Sequence, residues 1–266
     1  MKKSREVLII ISIILLALIS SFFIIIRINK KLAEKYYVDL QFETNQFDLS
    51  VVDSLPQQLL DKKNFGSTVK LTVRCKDSLN DFDNTKFSKE NSDLEKYLQE
   101  TEFIDFNNPS IKSLSEKLNL CSLSPVECAE TVLQNINQST GFITYDQELA
   151  HEISYGNTYG RSAGETINVL KGTCGEFANV FNALMRLNNI PCKFIQGYYI
   201  APNGSSLHAW AEFYDENKGW IPVDPQAGMF GVSPYHVKVF EAVDFPSTGA
   251  DFSSLCFGNT KIISNK

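Results

Sequence analysis

The chain has 266 residues, 43% of them hydrophobic, enough for one sizeable folded domain plus extensions. Its net charge of −6 is unevenly spread: residues 1–35 hold seven Lys or Arg against two Glu, which leaves 18 positive and 29 negative charges in the remainder. An acidic soluble part argues against nucleic acid as a partner, since phosphate contacts require basic surface.

Residues 1–6 form a short basic tail. Val7 to Ile26 then runs for twenty residues without a charge, and at 1.5 Å per residue it would span about 30 Å, one bilayer core. Cleavable signal regions are usually about 7–15 residues long and end in small residues. Here Phe22, Phe23 and three isoleucines lead straight into Arg27, so residues 7–26 are expected to be an uncleaved, single-pass transmembrane helix. Basic residues flank both ends, and the positive-inside rule gives no orientation.

Residues 27–94 read as a juxtamembrane module or an extension packed on the main domain, without a choice between them. Val69 to Cys75 alternates like a strand, and Asp77 to Asp93 reads as an exposed polar loop. The main domain is placed at 95–245. Within it, Ser124-Pro125 with Glu127 opens a helix to Ile136. Residues 246–266 are expected to be a loosely packed tail.

The sharpest local signal is Thr173-Cys174-Gly175-Glu176. It fits a capping box with Thr173 as N-cap and Glu176 three residues on. Phe177, Val180, Phe181, Leu184 and Leu187 follow at helical spacing. Cys174 thus falls in the first turn, where unpaired N–H groups and the helix dipole favour an anion, and a thiolate is the nucleophilic form of cysteine.

Lys193 to Ile200 reads as a strand feeding a second motif. Residues 207–214 alternate in the period of a strand, Asp215 to Gly219 is a hairpin loop, and Trp220 to Asp224 returns. Antiparallel partners across a loop centred on Glu216–Asn217 have numbers summing to 432–434. That puts His208 opposite Asp224 or within two residues of it, near enough for a carboxylate to orient an imidazole. Pro222 could shift the register through a bulge. Cys174, His208 and Asp224 together supply a thiolate, a proton acceptor and an orienting acid.

The remaining candidates have plainer readings. Trp210 and Trp220 are hairpin wall residues, Glu176 is a capping partner, and Arg186 is expected to satisfy a buried carboxylate. His151 and His236 have no partner at useful spacing and receive no role. Cys75, Cys121, Cys128, Cys174, Cys192 and Cys256 include no C-x-x-C pair, and no metal site or cofactor is expected. Cys121 and Cys128 either bridge or remain buried thiols.

Four blocks resemble the transglutaminase-like superfamily: Gly-Thr-Cys-Gly-Glu-Phe-Ala (172–178), Leu-Met-Arg-Leu-Asn-Asn-Ile-Pro-Cys-Lys (184–193), His-Ala-Trp-Ala-Glu-Phe (208–213) and Gly-Trp-Ile-Pro-Val-Asp-Pro (219–225). Glu127 to Tyr145 resembles the helix and I-x-Y turn that precede the family's nucleophile. The resemblance implies an α+β, papain-like core, with the nucleophile helix packed on an antiparallel sheet. It implies catalysis by Cys174, His208 and Asp224 through a thioester on a protein or peptide substrate, with release by an amine or by water. It also implies an oxyanion site made of the Cys174 N–H and an upstream side chain; Asn157, Tyr159 and Arg161 lie in a plausible loop, and spacing selects none. With the anchor, the resemblance implies a membrane-bound enzyme with its catalytic domain outside the cytoplasm. A peptidase or amidase on cell-envelope peptides, or a non-catalytic binding or scaffold domain, are the alternatives. Oligomeric state is not legible.

Overall fold

The structure is a computed structural model that describes residues 35–248 except 91, 92 and 157, together with 258–265 and the isolated Ile19 and Ser21. The predicted anchor, residues 7–26, otherwise lies outside the described residues, among which no helix is long and apolar enough to cross a membrane.

Strand β1 (Tyr37–Thr44) is followed by a one-turn helix α1 (Leu49–Val52), then β2 (Gln57–Phe65) and β3 (Thr68–Lys76). The alternation expected at 69–75 is this third strand, and β1 pairs with it antiparallel over its whole length. Helices α2 (Pro109–Lys117) and α3 (Pro125–Ile136) come next, and α3 opens with the capping box read from Ser124 and Glu127. A two-residue strand β4 (Thr144–Tyr145), α4 (Gln147–Ser154), α5 (Ala163–Val169) and β5 (Lys171–Gly172) lead into α6 (Cys174–Leu187). Five strands complete the core: β6 (Cys192–Ala201), β7 (Gly204–Asp215), β8 (Gly219–Asp224), β9 (Met229–Phe230) and β10 (His236–Ala242). They form an antiparallel sheet of order β10-β6-β7-β8-β9.

Helix α6 packs on that sheet as its periodicity requires. Phe177, Val180, Phe181 and Leu184 are all buried, in one cluster with Ala211, Phe213, Ile221 and Val223 of the hairpin and Val132 and Leu133 of α3. The hairpin register is Ala211↔Val223 to Asp215↔Gly219, a position sum of 434, and Pro222 introduces no shift. Mixed α and β elements around an antiparallel sheet match the expected core.

Residues 36–76 pack on the main domain. Leu40, Phe42, Leu71 and Val73 bury against Tyr198, Ile200, Val237 and Val239 of the central sheet. A polar clasp reinforces this joint where β10 bulges. The Gln57 side chain donates to the Lys238 carbonyl (2.8 Å) and accepts from the Lys238 N–H (2.9 Å), supplying the partners that the irregular strand lacks.

Three readings change. The tail is not loose throughout, because residues 258–265 form strand β11, antiparallel to β1 in a sheet of order β11-β1-β3-β2. The polar segment 77–93 is fastened in place. Phe87 is buried in the main core, the Trp220 N–H donates to the Ser88 carbonyl, and the Trp220 indole donates to the Glu90 carbonyl at 2.7 Å. Its few apolar residues do the anchoring, a signal too sparse to register in a composition window. Finally, among the described residues Arg186 donates to carbonyls and to no carboxylate. Its guanidinium donates to the Cys192 carbonyl (2.7 and 3.1 Å), the Gln99 carbonyl (2.8 Å) and the Val243 carbonyl. The five-donor fork satisfies buried backbone where three segments meet.

Lys238 is buried in the sheet and pairs with buried Glu212 at 2.9 Å, with Glu241 farther at 3.6 Å. Removing one member of such a pair strands the other charge away from water. Glu212→Ala should therefore lower the unfolding free energy by about 3–5 kcal/mol in urea melts. A loss below about 1 kcal/mol would show that Glu241 alone compensates Lys238.

Candidate active site

Cys174 is the first residue of α6, partly exposed, on a turn made rigid by one buried carboxylate. Glu176, 1% exposed, accepts the Thr173 N–H and hydroxyl, each at 2.7 Å, and the Arg161 N–H at 3.0 Å. The capping role read for Glu176 therefore extends to the loop before α5. The close approach also explains two glycines. A Cβ on Gly172 would lie 2.4 Å from the Glu176 Cβ, and one on Gly160 (φ +100°) would lie 2.1 Å from its Oε1.

His208 reaches the site from β7 and Asp224 from the end of β8. The His208 Nε2 lies 2.8 Å from the Asp224 Oδ2, and its ring also hydrogen-bonds the Cys174 side chain. Because Nε2 is engaged by the acid, Nδ1 is the nitrogen left for the thiol. The structure thus brings Cys174, His208 and Asp224 together. Gly197 stands opposite His208 on β6, where a Cβ would collide with the Val237 carbonyl at 1.9 Å and crowd the Trp210 ring at 2.9 Å. Trp210 fills that space and stacks beside His208, with ring centroids 6.0 Å apart.

Burial disfavours a charged imidazole, yet the Asp224 carboxylate and then the hydrogen bond and negative charge of Cys174 push the His208 pKa up to about 10. Burial likewise opposes the Asp224 anion, but His208 and then His236 hold its carboxyl well below the usual carboxylate range. The pairing with Asp224 therefore favours the protonated form of the His208 ring.

His236, given no role on sequence grounds, is part of this cluster. Its Nε2 lies 3.2 Å from the same Asp224 Oδ2. It comes from β10, the far edge strand, so no spacing within the hairpin could reveal it. The His208, Asp224 and His236 ligand atoms fall within 4.8 Å of one another, a grouping that could hold a metal ion and that the linear spacing hides. Hydrogen bonds among those atoms already satisfy them.

The site opens into a cleft of about 520 Å³. Beyond Cys174, His208, Asp224 and His236, its walls come from uncharged residues, among them Gln138, Tyr145, Tyr199, Leu207, Gln226 and Met229. Trp210 and Trp220 are each 2% exposed and belong to the interior rather than to this wall.

The loop expected to supply an oxyanion donor has other engagements. Arg161 binds Asp146 at 2.8 Å, Tyr159 is 64% exposed with its ring against Phe245, and Asn157 lies outside the described residues. Tyr145 instead lines the cleft beside Cys174, and β4 pairs it with Gly172, two residues before the thiol. Burial, and then the negative charge of Cys174, raise its phenol pKa and keep it a donor.

Residues 129–225 match the profile of the transglutaminase-like superfamily. That match covers the segment from α3 to the end of β8, which includes Cys174, His208 and Asp224. A curated protein-glutamine gamma-glutamyltransferase of Pseudomonas aeruginosa is 23% identical over 142 residues, 49% of this chain and 20% of that protein. The chain thus spans about a fifth of that relative's length. Among solved structures, a candidate cysteine protease from Cytophaga hutchinsonii shares the fold, with 18% identity and a TM-score of 0.51 over 86% of this chain and 87% of that one. The periplasmic domain of TgpA from Pseudomonas aeruginosa is 16% identical, with a TM-score of 0.43 over 72% of each chain.

The two shifted groups set the pH dependence of stability. His208 has a raised pKa, so its contribution is complete below its ordinary value of 6.5 and disappears as pH rises towards 10. Asp224 has a lowered pKa, so its contribution is complete above 3.8 and is lost as pH falls further. Thermal melts should show a decline from pH 6.5 to 10 that His208→Ala flattens. An unchanged alkaline decline in that variant would contradict the assignment.

Proposed function

We propose that the domain is a thiol enzyme that attacks carboxamides of protein or peptide substrates. The observation that carries this is His208 joined to Cys174 on one side and to Asp224 on the other, within the cleft. The Cys174 thiolate adds to the amide carbonyl carbon. The imidazolium of His208 then gives its proton to the departing nitrogen, which leaves as ammonia from a glutamine side chain or as an amine from a peptide bond and yields the thioester. Neutral His208 next takes a proton from an attacking amine or water, and the acyl group leaves the sulfur. Asp224 holds the ring in register and balances its charge. The Cys174 N–H at the helix start and the Tyr145 hydroxyl face the developing oxyanion.

The uncharged cleft wall supports a neutral carboxamide, because a charged substrate group would be desolvated there without a partner. The relative's glutamine-directed name agrees with this chemistry, as does a peptidase reading, since both share every step up to the thioester. With the predicted anchor at 7–26, the reading extends to a membrane-tethered enzyme acting on cell-envelope peptides outside the cytoplasm.

Mass spectrometry of glutamine-containing peptides incubated with a primary amine tests the proposal. Wild type should yield either amine-exchanged or hydrolysed product, and Cys174→Ala neither. Equal product from both would leave a binding domain as the answer. In the same assay Tyr145→Phe should lower kcat by about 10²–10³, as loss of one oxyanion donor does elsewhere. An unchanged kcat would remove Tyr145 from the mechanism.

A further inference from the structure

We propose that His236 is a positioning residue of the thiol site, the fourth link in a hydrogen-bonded chain running Cys174–His208–Asp224–His236. The inference rests on the catalytic reading above, and its first support is the way Asp224 is held. One carboxylate oxygen, Oδ2, faces the ring nitrogens of both His208 (2.8 Å) and His236 (3.2 Å), while Oδ1 accepts the Ala227 N–H at 3.1 Å. Donors from β7, β10 and the turn after β8 therefore fix a side chain that would otherwise rotate at the end of its strand.

The proton inventory is consistent. An ionised carboxylate only accepts, so the His236 Nε2 must carry a hydrogen to bond it. On the other side of the ring, Nδ1 meets the Ser233 hydroxyl at 3.0 Å and the Ser233 carbonyl at 3.2 Å. Ser233 thus anchors the far edge of the ring while Nε2 faces Asp224. The ring is held in place by edge contacts with Tyr199 and Trp210, at centroid distances of 5.1 and 5.3 Å.

With only 1% of its side chain exposed, His236 is too enclosed to exchange protons with substrate. Its effect passes through Asp224. A second N–H on Oδ2 draws negative charge from that oxygen, which keeps the shared proton on His208 and fixes the direction in which Asp224 points. A residue that merely filled space would need the volume of a ring and no donor.

The test compares the wild-type chain with His236→Phe, His236→Gln and His236→Leu. It reads peptide turnover and the rate of Cys174 alkylation by iodoacetamide at pH 6, relative to the exposed thiol of Cys121. His236→Phe keeps bulk and removes the donor. It should lower kcat about tenfold, or about 1.4 kcal/mol, with KM within twofold, and lower the Cys174:Cys121 alkylation ratio in parallel. His236→Gln, whose amide N–H can replace the Nε2 donor, should recover most of both. Ratios within twofold of wild type for the Phe variant, or a Gln variant no better than Phe, overturn the proposal. Should the Phe variant not fold, His236→Gln decides against His236→Leu: a ratio recovered by Gln and not by Leu supports the chain, and equal ratios in the two overturn it. The alkylation readout needs no substrate, so absence of turnover in the wild type would reject the catalytic reading while still judging His236.

Discussion

A single buried oxygen, Oδ2 of Asp224, organises the site. It sits at the end of β8 with the imidazoles of two other strands turned towards it. A carboxylate so enclosed is costly unless it is paired, and the pairing is what fixes His208 in reach of Cys174. Strand pairing brings the pieces to one end of the sheet. β7 delivers His208, β8 delivers Asp224, β10 delivers His236, and α6 sets the sulfur against that end.

A second buried carboxylate plays the matching part on the helical side. Glu176 gathers the N-cap residue and the loop before α5 around the first turn of α6. The thiol is therefore presented by a turn whose geometry is fixed by hydrogen bonds rather than by the flexibility of its glycines. Of the two carboxylates, one holds the turn that carries Cys174 and the other holds His208.

Local signals made much of this legible. The capping box at 173–176 and the 3.6-residue period behind it identified α6 because both depend on neighbours within a few positions. The hairpin was legible because a short loop fixes register, and 434 was the upper limit of the expected sums. His236 was hidden because two strands, β6 and β7, stand between its own strand and that of Asp224 in the sheet. Strand β11 and the fastening of 77–93 were hidden for the same reason: each depends on a few contacts distant in sequence. The carbonyl partners of Arg186 come from three separate segments, and a buried guanidinium gives no hint in sequence of which acceptors it will find.

The central claim is that Asp224 holds His208 as a cation beside Cys174, and direct observation of its ring decides it. Nitrogen-15 NMR of the histidine side chains, with three histidines to assign, reports protonation as a function of pH. The account predicts that His208 stays protonated past pH 8 in the wild type, and that Asp224→Asn, which leaves the ring buried without its counter-charge, moves its titration well downwards. A wild-type His208 that loses its proton near pH 6.5 would contradict the account.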